Sequence, residues 1–281
     1  MNEIREFLTS RRARITPEQA GLRSYGGRRR VTGLRREEVA MLAGISVEYY
    51  TQLERGNVKG VSEDVLEAVI RALQLDEVER THLFDLTRAA KQLPTRQRSA
   101  AVQVRPAVQR VLDSITEGAA FIRNPRADFL TGNRLAYAVY ADAFTTLDRP
   151  VSLPRFVFLD PRARVFYRKW DGLAEATVGS LRSEAARDPF DADLTQLIGE
   201  LSMRSDDFRR MWATHDVTQY RSGVQYFHHQ LVGDLDLNYE SFDLAGDVGQ
   251  TLVVYTAQAG SPSQVALDQL ARGIAERAAT R

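Results

Sequence analysis

Residues 35–56 read RREEVAMLAGISVEYYTQLERG, two short stretches with apolar residues at helical spacing on either side of Ala43-Gly44-Ile45-Ser46. Gly44 can adopt the positive φ of a tight turn, and the Ser46 hydroxyl can accept a hydrogen bond from a free amide of the next helix. The pattern therefore predicts a helix-turn-helix, with helices at about residues 36–43 and 47–55.

The second of these helices has an inward face at Tyr50 and Leu53. The spacing of 3.6 residues per turn then turns four side chains outward together: Val47, Glu48, Thr51 and Gln52. In the major groove of DNA, Gln can pair with adenine, Glu can accept from the cytosine amine and Val can contact the thymine methyl group. We therefore expect sequence-specific binding to double-stranded DNA.

Three further helices complete a small all-helical bundle. Apolar spacing predicts them at about residues 3–12, from Ser62 to about Leu73, and from Asp76 onward, where Asp76 and Glu79 form a variant of the capping box. In the first helix of the motif we expect Val39, Ala40 and Leu42 to be buried. Residues 1–90 are thus predicted to be a DNA-binding domain.

Positive charge is concentrated at two places, although the net charge of the chain is only +1. Residues 5–36 contain ten arginines and two acidic residues. Arg28, Arg29 and Arg30 lie beside two glycines, where they either follow the DNA backbone or enter a minor groove, or form a solvated loop. A second basic stretch without acidic residues predicts a linker at residues 91–105.

Composition narrows the class of protein further. The chain has no cysteine, no apolar segment long enough to span a membrane and no signal peptide, so we expect a cytoplasmic protein without membrane contact. Zinc fingers and thiol catalysis are excluded, and the four histidines lack metal-binding spacing. Because no nucleotide-binding or nucleophile motif occurs either, we expect no enzyme, no catalytic residues and no metal or cofactor.

From residue 106 to residue 281 the pattern changes to alternating strands and helices, which predicts an α/β domain. Predicted strands lie at residues 119–122, 128–131, 224–228, 235–240 and 252–256. Predicted helices lie at residues 106–117, 134–145, 171–187, 191–203, 205–213 and 262–278. Two early strands, a helix and a late three-strand meander are typical of a PAS-like sensor domain.

Large aromatic residues of this domain can either line a ligand cavity or fill the core. The candidate ligand-binding residues are Phe129, Asn133, Tyr137, Tyr140, Phe156, Trp170, Trp212 and Tyr226. Asn133 follows a strand and precedes a helix, so its side chain either caps that helix or orients the polar end of a ligand.

The helix-turn-helix resembles the XRE-type family of phage-repressor-like regulators, with a lambda-repressor-like bundle. This resemblance implies that Arg36 contacts phosphate and that Glu54 pairs with Arg12. It is compatible with a homodimer that places two recognition helices on DNA. The predicted DNA-binding residues are Arg28, Arg29, Arg30, Arg35, Arg36, Ser46, Val47, Glu48, Tyr49, Thr51 and Gln52.

The segments LDPRARVFYRKWDGLA, LIGELSMRSDDFRRMWATHDV and VGDLDLNYESFDL resemble the ligand-binding region of MmyB-like transcription regulators. The chain departs from the family at His229-Gln230, where His-Pro is expected. The resemblance implies a one-component sensor whose PAS-like domain binds a small apolar ligand, with a fatty acid as the class. The alternative is a C-terminal domain that serves only dimerisation or partner docking.

Overall fold

The computed structural model describes residues 3–22, 31–91, 103–144, 150–216 and 221–279. The chain forms two compact units. The first comprises Met1–Gln97, Arg182–Asp191 and Met211–Thr218, and the second comprises Arg98–Leu181, Ala192–Arg210 and Gln219–Arg281. Within the described ranges, none of the helices combines the length and the apolar composition that a membrane span requires.

The first unit contains the predicted all-helical bundle. Its helices are α1 (Glu3–Arg14), α2 (Arg36–Ala43), α3 (Val47–Glu54), α4 (Glu63–Ala72) and α5 (Glu77–Lys91). One apolar core collects residues from all five helices, among them Phe7, Val39, Leu53, Val69 and Leu83. The prediction for Leu42 was wrong: this side chain is exposed, because it lies about 200° around α2 from the buried Ala40.

The turn between α2 and α3 has the predicted geometry. Gly44 ends α2 with φ 67°, a left-handed conformation in which a β-carbon is unfavourable. Ser46 begins α3, and its hydroxyl accepts a hydrogen bond from the Tyr49 amide at 3.0 Å. The Asp76–Glu79 capping box also forms, with the Glu79 amide 2.9 Å from Asp76 Oδ1.

From residue 106 onward the elements alternate as predicted. They are α6 (Pro106–Ser114), β1 (Ala119–Arg123), β2 (Asp128–Gly132), α7 (Arg134–Val139), α8 (Ala141–Phe144), β3 (Val151–Ser152), α9 (Leu153–Leu159), α10 (Ala163–Phe166), α11 (Trp170–Arg187), α12 (Ala192–Arg204), α13 (Asp206–Trp212), β4 (Ser222–His229), β5 (Gly233–Asp243), β6 (Thr251–Thr256) and α14 (Pro262–Ala279). The strands form one antiparallel sheet in the order β3-β2-β1-β6-β5-β4.

Three elements were not predicted from the sequence: β3, α9 and α10. They occupy residues 151–166, where Pro154 and Pro161 interrupt an apolar run without clear helical or strand periodicity. β3 has only two residues and is defined by its pairing with β2, where Val151 lies opposite Phe129. Such pairing depends on distant residues, so the local pattern does not indicate it.

The sheet of the second unit has two different faces. Alternation along β1 places Ala120 and Ile122 on one face, where they pack against Leu112 of α6. Phe121 and Arg123 lie on the other face, together with Tyr255, because Ala119 is paired with Tyr255 across β1 and β6. The aromatic side chains of the unit collect on this second face.

Candidate DNA-binding and ligand-binding sites

The outward face of α3 is open to solvent. Val47 and Tyr49 are 41% and 37% exposed, and Glu48 and Gln52 are also exposed, whereas Tyr50 and Leu53 are fully buried. Thr51 is half-buried on the same helix. The predicted orientation of α3 is therefore confirmed, and the side chains expected to contact bases lie on a surface that a major groove can receive.

A buried carboxylate ties this helix to its neighbours. Glu54, at the end of α3, accepts from Arg12 Nε at 3.0 Å through Oε2 and from Arg36 Nε at 2.8 Å through Oε1. Burial raises the pKa of Glu54, but the hydrogen bonds from Arg36 and Arg12 outweigh it and hold the pKa below its ordinary value. The Arg12–Glu54 pair implied by the resemblance is confirmed.

The arginines next to the motif have different surroundings. Arg36 was expected only at phosphate, but its guanidinium also binds Glu54, while its side chain keeps 44% exposure. Arg35 is exposed, and its backbone amide donates to Glu38 Oε2 at 2.6 Å. Arg28, Arg29 and Arg30 lie outside the described residues.

In the second unit, six aromatic side chains form a connected cluster that we call the aromatic centre: Phe121, Phe129, Tyr140, Phe166, Phe227 and Tyr255. Phe121 stacks on Phe129 with ring centroids 4.8 Å apart, and Tyr140 meets Phe227 edge to face at 5.8 Å. All six are buried. They provide a large apolar surface between the sheet and the helices around it.

Hydroxyl groups lie inside this apolar cluster. The hydroxyl oxygens of Tyr140 and Tyr255 are 3.0 Å apart and form a hydrogen bond. Burial raises the pKa of both groups well above the ordinary value, and the same holds for the neighbouring Tyr167. All three hydroxyls are therefore neutral donors and acceptors at physiological pH.

Arg123 lies close to the tyrosine hydroxyls of the aromatic centre. It ends β1 on the same face as Phe121, and its charge lowers the pKa of Tyr140 and Tyr255 in part. Its Nε atom is buried and has no hydrogen-bond partner among the residues that the structure describes. A buried guanidinium donor without a partner is unfavourable and suits an anionic or polar group from outside the chain.

The structure brings together only part of the predicted ligand-binding set. Phe129 contacts both Tyr137 and Tyr140, and Phe156 reaches the aromatic centre through Phe166. Three residues lie elsewhere, namely Trp170, Trp212 and Tyr226. Trp170 packs against Phe158 and donates to Val157, Tyr226 is on the opposite face of β4 from Phe227, and Trp212 belongs to the first unit.

Asn133 has the capping role that was one of the two interpretations of its sequence position. Its side-chain oxygen accepts from the Ala136 amide at 2.8 Å and thereby caps α7, and it also accepts from the Ala120 amide at 3.1 Å. Its amide nitrogen donates to the carbonyls of Ile115 and Gly118, each at 2.8 Å. Backbone groups of the chain therefore occupy both polar atoms of the Asn133 amide.

Sequence reasoning did not single out five residues of this candidate site: Phe121, Arg123, Phe166, Phe227 and Tyr255. Four of them are aromatic, and their burial follows from strand alternation or helix packing. Arg123 had no local signal, because its position depends on the register of β1 against β2 and β6. The pairing of Arg123 with Phe129 and Thr251 places it beside the aromatic centre.

The histidines have separate environments. His228 is exposed and lies 2.7 Å from Asp234, whereas the adjacent His229 is buried and contacts the Ala138 carbonyl at 3.0 Å. They point to opposite faces of β4, as expected from strand alternation. In the part of the chain that the structure describes, no group of three or more His, Cys, Asp or Glu residues is arranged to hold a metal ion.

Comparison with known families agrees with this architecture. Residues 6–83 match the family described as a helix-turn-helix domain, and residues 104–270 match the MmyB-like transcription regulator ligand binding domain. The second match covers more than half of the chain. A search of curated proteins found no match. With a helix-turn-helix domain followed by this ligand-binding domain, the chain belongs to the family of MmyB-like transcription regulators.

Proposed function

We propose that the protein is a one-component regulator that recognises a DNA sequence through α3 and changes its DNA binding when a small apolar molecule, such as a fatty acid, occupies the C-terminal domain. The observation that carries the DNA-binding part is the outward face of α3, where Val47, Glu48 and Gln52 are exposed beside a buried supporting face. The regulator family supports the same function.

Base recognition is assigned to the first turns of α3. Gln52 pairs with adenine through its amide, Glu48 accepts from a cytosine amine, and Val47 contacts a thymine methyl group. Thr51 and Tyr49 lie beside them. Ser46 is engaged by the Tyr49 amide, so its contribution is to fix the start of the helix near the backbone of DNA.

Contacts to phosphate are assigned to the arginines around α2. Arg35 and Arg36 are exposed at the start of this helix, and Glu54 holds the guanidinium of Arg36 in one orientation. Arg28, Arg29 and Arg30 are the further candidates. Since a single helix-turn-helix gains affinity when two copies bind successive turns of DNA, we propose a homodimer.

Ligand binding is assigned to the aromatic centre within a PAS-like domain. Its aromatic rings suit an alkyl chain, and the Tyr140–Tyr255 hydroxyls with Arg123 Nε suit a polar or anionic end. A fatty acid combines both features in one molecule. The aromatic centre, rather than the outlying Trp170, Trp212 and Tyr226, is therefore where we expect the ligand.

The DNA-binding part is tested by gel-shift titration at several salt concentrations. We expect the double variant Gln52→Ala with Arg36→Ala to show a weaker sequence preference and a smaller dependence on salt, because it lacks one base contact and one phosphate contact. Glu63→Ala, a change at the exposed start of α4, is the control. Binding that ignores sequence in the wild type, or is unchanged in the double variant, contradicts the assignment.

The ligand part is tested by native mass spectrometry of gently purified protein and by calorimetry with dodecanoic acid and its methyl ester. We expect a bound lipid, preference for the free acid, and loss of that preference in Arg123→Met. Arg221→Met is the control, because Arg221 is exposed and lies directly before β4. A protein that contains no small molecule and binds neither compound indicates a C-terminal domain used only for dimerisation or partner docking.

A further inference from the structure

Two arginines are buried in the first unit, away from the outward face of α3. Arg11 of α1 and Arg182 of α11 are each only 2% exposed. Arg11 Nε lies 2.7 Å from Glu79 Oε1, and Arg11 Nη2 donates to the His215 carbonyl at 2.7 Å. Such partners are needed because an unpaired buried guanidinium is strongly unfavourable.

Arg182 is bound to the same short segment as Arg11. It donates to the Trp212 carbonyl, and its Nη1 lies 3.1 Å from His215 Nδ1. Its guanidinium also stacks over the Trp212 ring at 4.2 Å from the centroid. We call Arg11, Glu79, Arg182, Trp212 and His215 the Arg11–Arg182 cluster.

This cluster joins residues that are distant in sequence. Residues 182–191 and 211–216 lie within the region that matches the ligand-binding family, yet they pack as part of the unit that contains the helix-turn-helix. Ala186 belongs to the same apolar core as Phe7 and Leu53. The N-terminal helices alone therefore do not complete the core of the DNA-binding unit.

α1 connects the cluster to the recognition helix. Arg12 follows Arg11, and it donates to Glu54 of α3 at 3.0 Å and to the Leu34 carbonyl at 2.8 Å. Consecutive residues of a helix move together, so a displacement of Arg11 also displaces Arg12. The pair Arg12–Glu54 then transmits this displacement to the end of α3, where Glu54 is buried and cannot change partners freely.

We propose that the Arg11–Arg182 cluster positions α1 and, through Arg12 and Glu54, holds α3 in the orientation that specific DNA binding requires. Residues of the ligand-binding region thereby control the recognition helix without contacting DNA. Arg182 and His215 are positioning residues in this proposal. It rests on the proposed use of α3 as the recognition helix.

The test uses the full chain with Arg182→Met, which removes the charge and keeps an apolar stem over Trp212. DNA affinity is measured for a duplex that the wild type selects from a random pool and for a shuffled duplex of equal length. We expect about ten-fold weaker binding to the selected duplex and a change within about two-fold for the shuffled one. Arg187→Met is the matched control, because Arg187 lies on the same helix as Arg182 but pairs with Glu184 and is 49% exposed.

Equal weakening for both duplexes, or no weakening for either, overturns the proposal. If Arg182→Met does not fold, His215→Gly replaces it, since it removes the ring nitrogen that contacts Arg182 and glycine readily adopts the φ of 57° at this position. Its expected results are the same. A wild type that selects no duplex disproves the use of α3, and hydrogen exchange then decides on the cluster: exchange about five-fold faster in α3 of Arg182→Met supports it, and unchanged exchange in α3 overturns it.

Discussion

Glu54 and the Tyr140–Tyr255 pair are both buried polar sites, but the chain satisfies them differently. Glu54 is an ion with two arginine partners from the same unit. The tyrosine hydroxyls are neutral and bind each other, and Arg123 beside them keeps a buried Nε without a partner in the described ranges. The difference separates a polar site whose partners are supplied by the chain from one in which a buried donor has no partner among the described residues.

The largest expected loss of stability follows from a change at Glu54. Glu54→Gln leaves the charges of Arg12 and Arg36 without a counter-ion, so we expect the free energy of unfolding to fall by about 3 kcal/mol. Urea unfolding of the full chain followed by circular dichroism measures it. Glu48→Gln is the control, because Glu48 is exposed on the same helix. A loss as small for Glu54→Gln as for Glu48→Gln means that Glu54 is not the structural site described above.

Removing a hydroxyl of the Tyr140–Tyr255 pair is expected to lower the free energy of unfolding by a smaller amount, and by more for Tyr140 than for Tyr255. Tyr140 interacts with both Tyr255 and Tyr167, so Tyr140→Phe leaves two buried hydroxyls with fewer partners. We expect a loss of about 2 kcal/mol for Tyr140→Phe and about 1 kcal/mol for Tyr255→Phe. Urea unfolding measures both, with Tyr226→Phe on the opposite sheet face as control. The reverse order would show that the hydroxyl network is assigned wrongly.

His82 is a third buried polar group, and among the described residues no anionic group stabilises its protonated form. Burial, with a smaller contribution from Arg182, lowers its pKa to about 3 from the ordinary value of 6.5. The unfolded chain therefore binds a proton that the folded chain excludes, and stability present above pH 6.5 falls as the pH decreases toward 3. The slope from this group approaches about 1.4 kcal/mol per pH unit.

Urea unfolding between pH 7 and pH 5 tests this expectation by comparing the wild type with His82→Leu. We expect a shallower decrease in the variant. The decrease is not abolished, since burial also lowers the pKa of His215. Met41→Ala, at an exposed side chain without a titratable group, is expected to follow the wild type. Parallel curves for the wild type and His82→Leu would mean that His82 is not held neutral by burial.

The smallest effect on stability is expected for Arg36→Ala. Arg12 still pairs with the buried Glu54 after this change, and the Arg36 side chain is itself 44% exposed, so we expect a loss below about 1 kcal/mol. In DNA binding, however, the slope of log affinity against log salt concentration should decrease by about one. Arg71→Ala, on α4, is the control for charge alone. An unchanged salt dependence would remove Arg36 from the phosphate contacts.

The helix-turn-helix and the second unit differ in how much of their structure can be predicted from the sequence. In residues 35–56 the turn, the cap and the buried and exposed faces depend on neighbours within a few residues, so Gly44, Ser46, Tyr50 and Gln52 were placed correctly. The five main strands of the second unit were also predicted from local patterns. What the local patterns could not supply is which side chains meet.

Strand register places Tyr255 in the aromatic centre and Arg123 beside it. The side chain of Asn133 caps α7 through the Ala136 amide, and three further backbone groups hydrogen-bond to the same side chain. Trp212 has an apolar ring like the residues of the aromatic centre but lies under Arg182. Aromatic composition thus predicts a buried cluster without identifying its members. Identification requires the pairing of elements that are far apart in the chain.

The central claim is that α3 recognises bases through its outward face. Selection of binding sequences from a random duplex pool, performed in parallel with the wild type and Gln52→Ala, tests it most directly. We predict that the wild type enriches a defined sequence and that Gln52→Ala loses the preference for adenine at one position while keeping the others. Enrichment of no sequence by the wild type, or of the same sequence by both proteins, would contradict the claim.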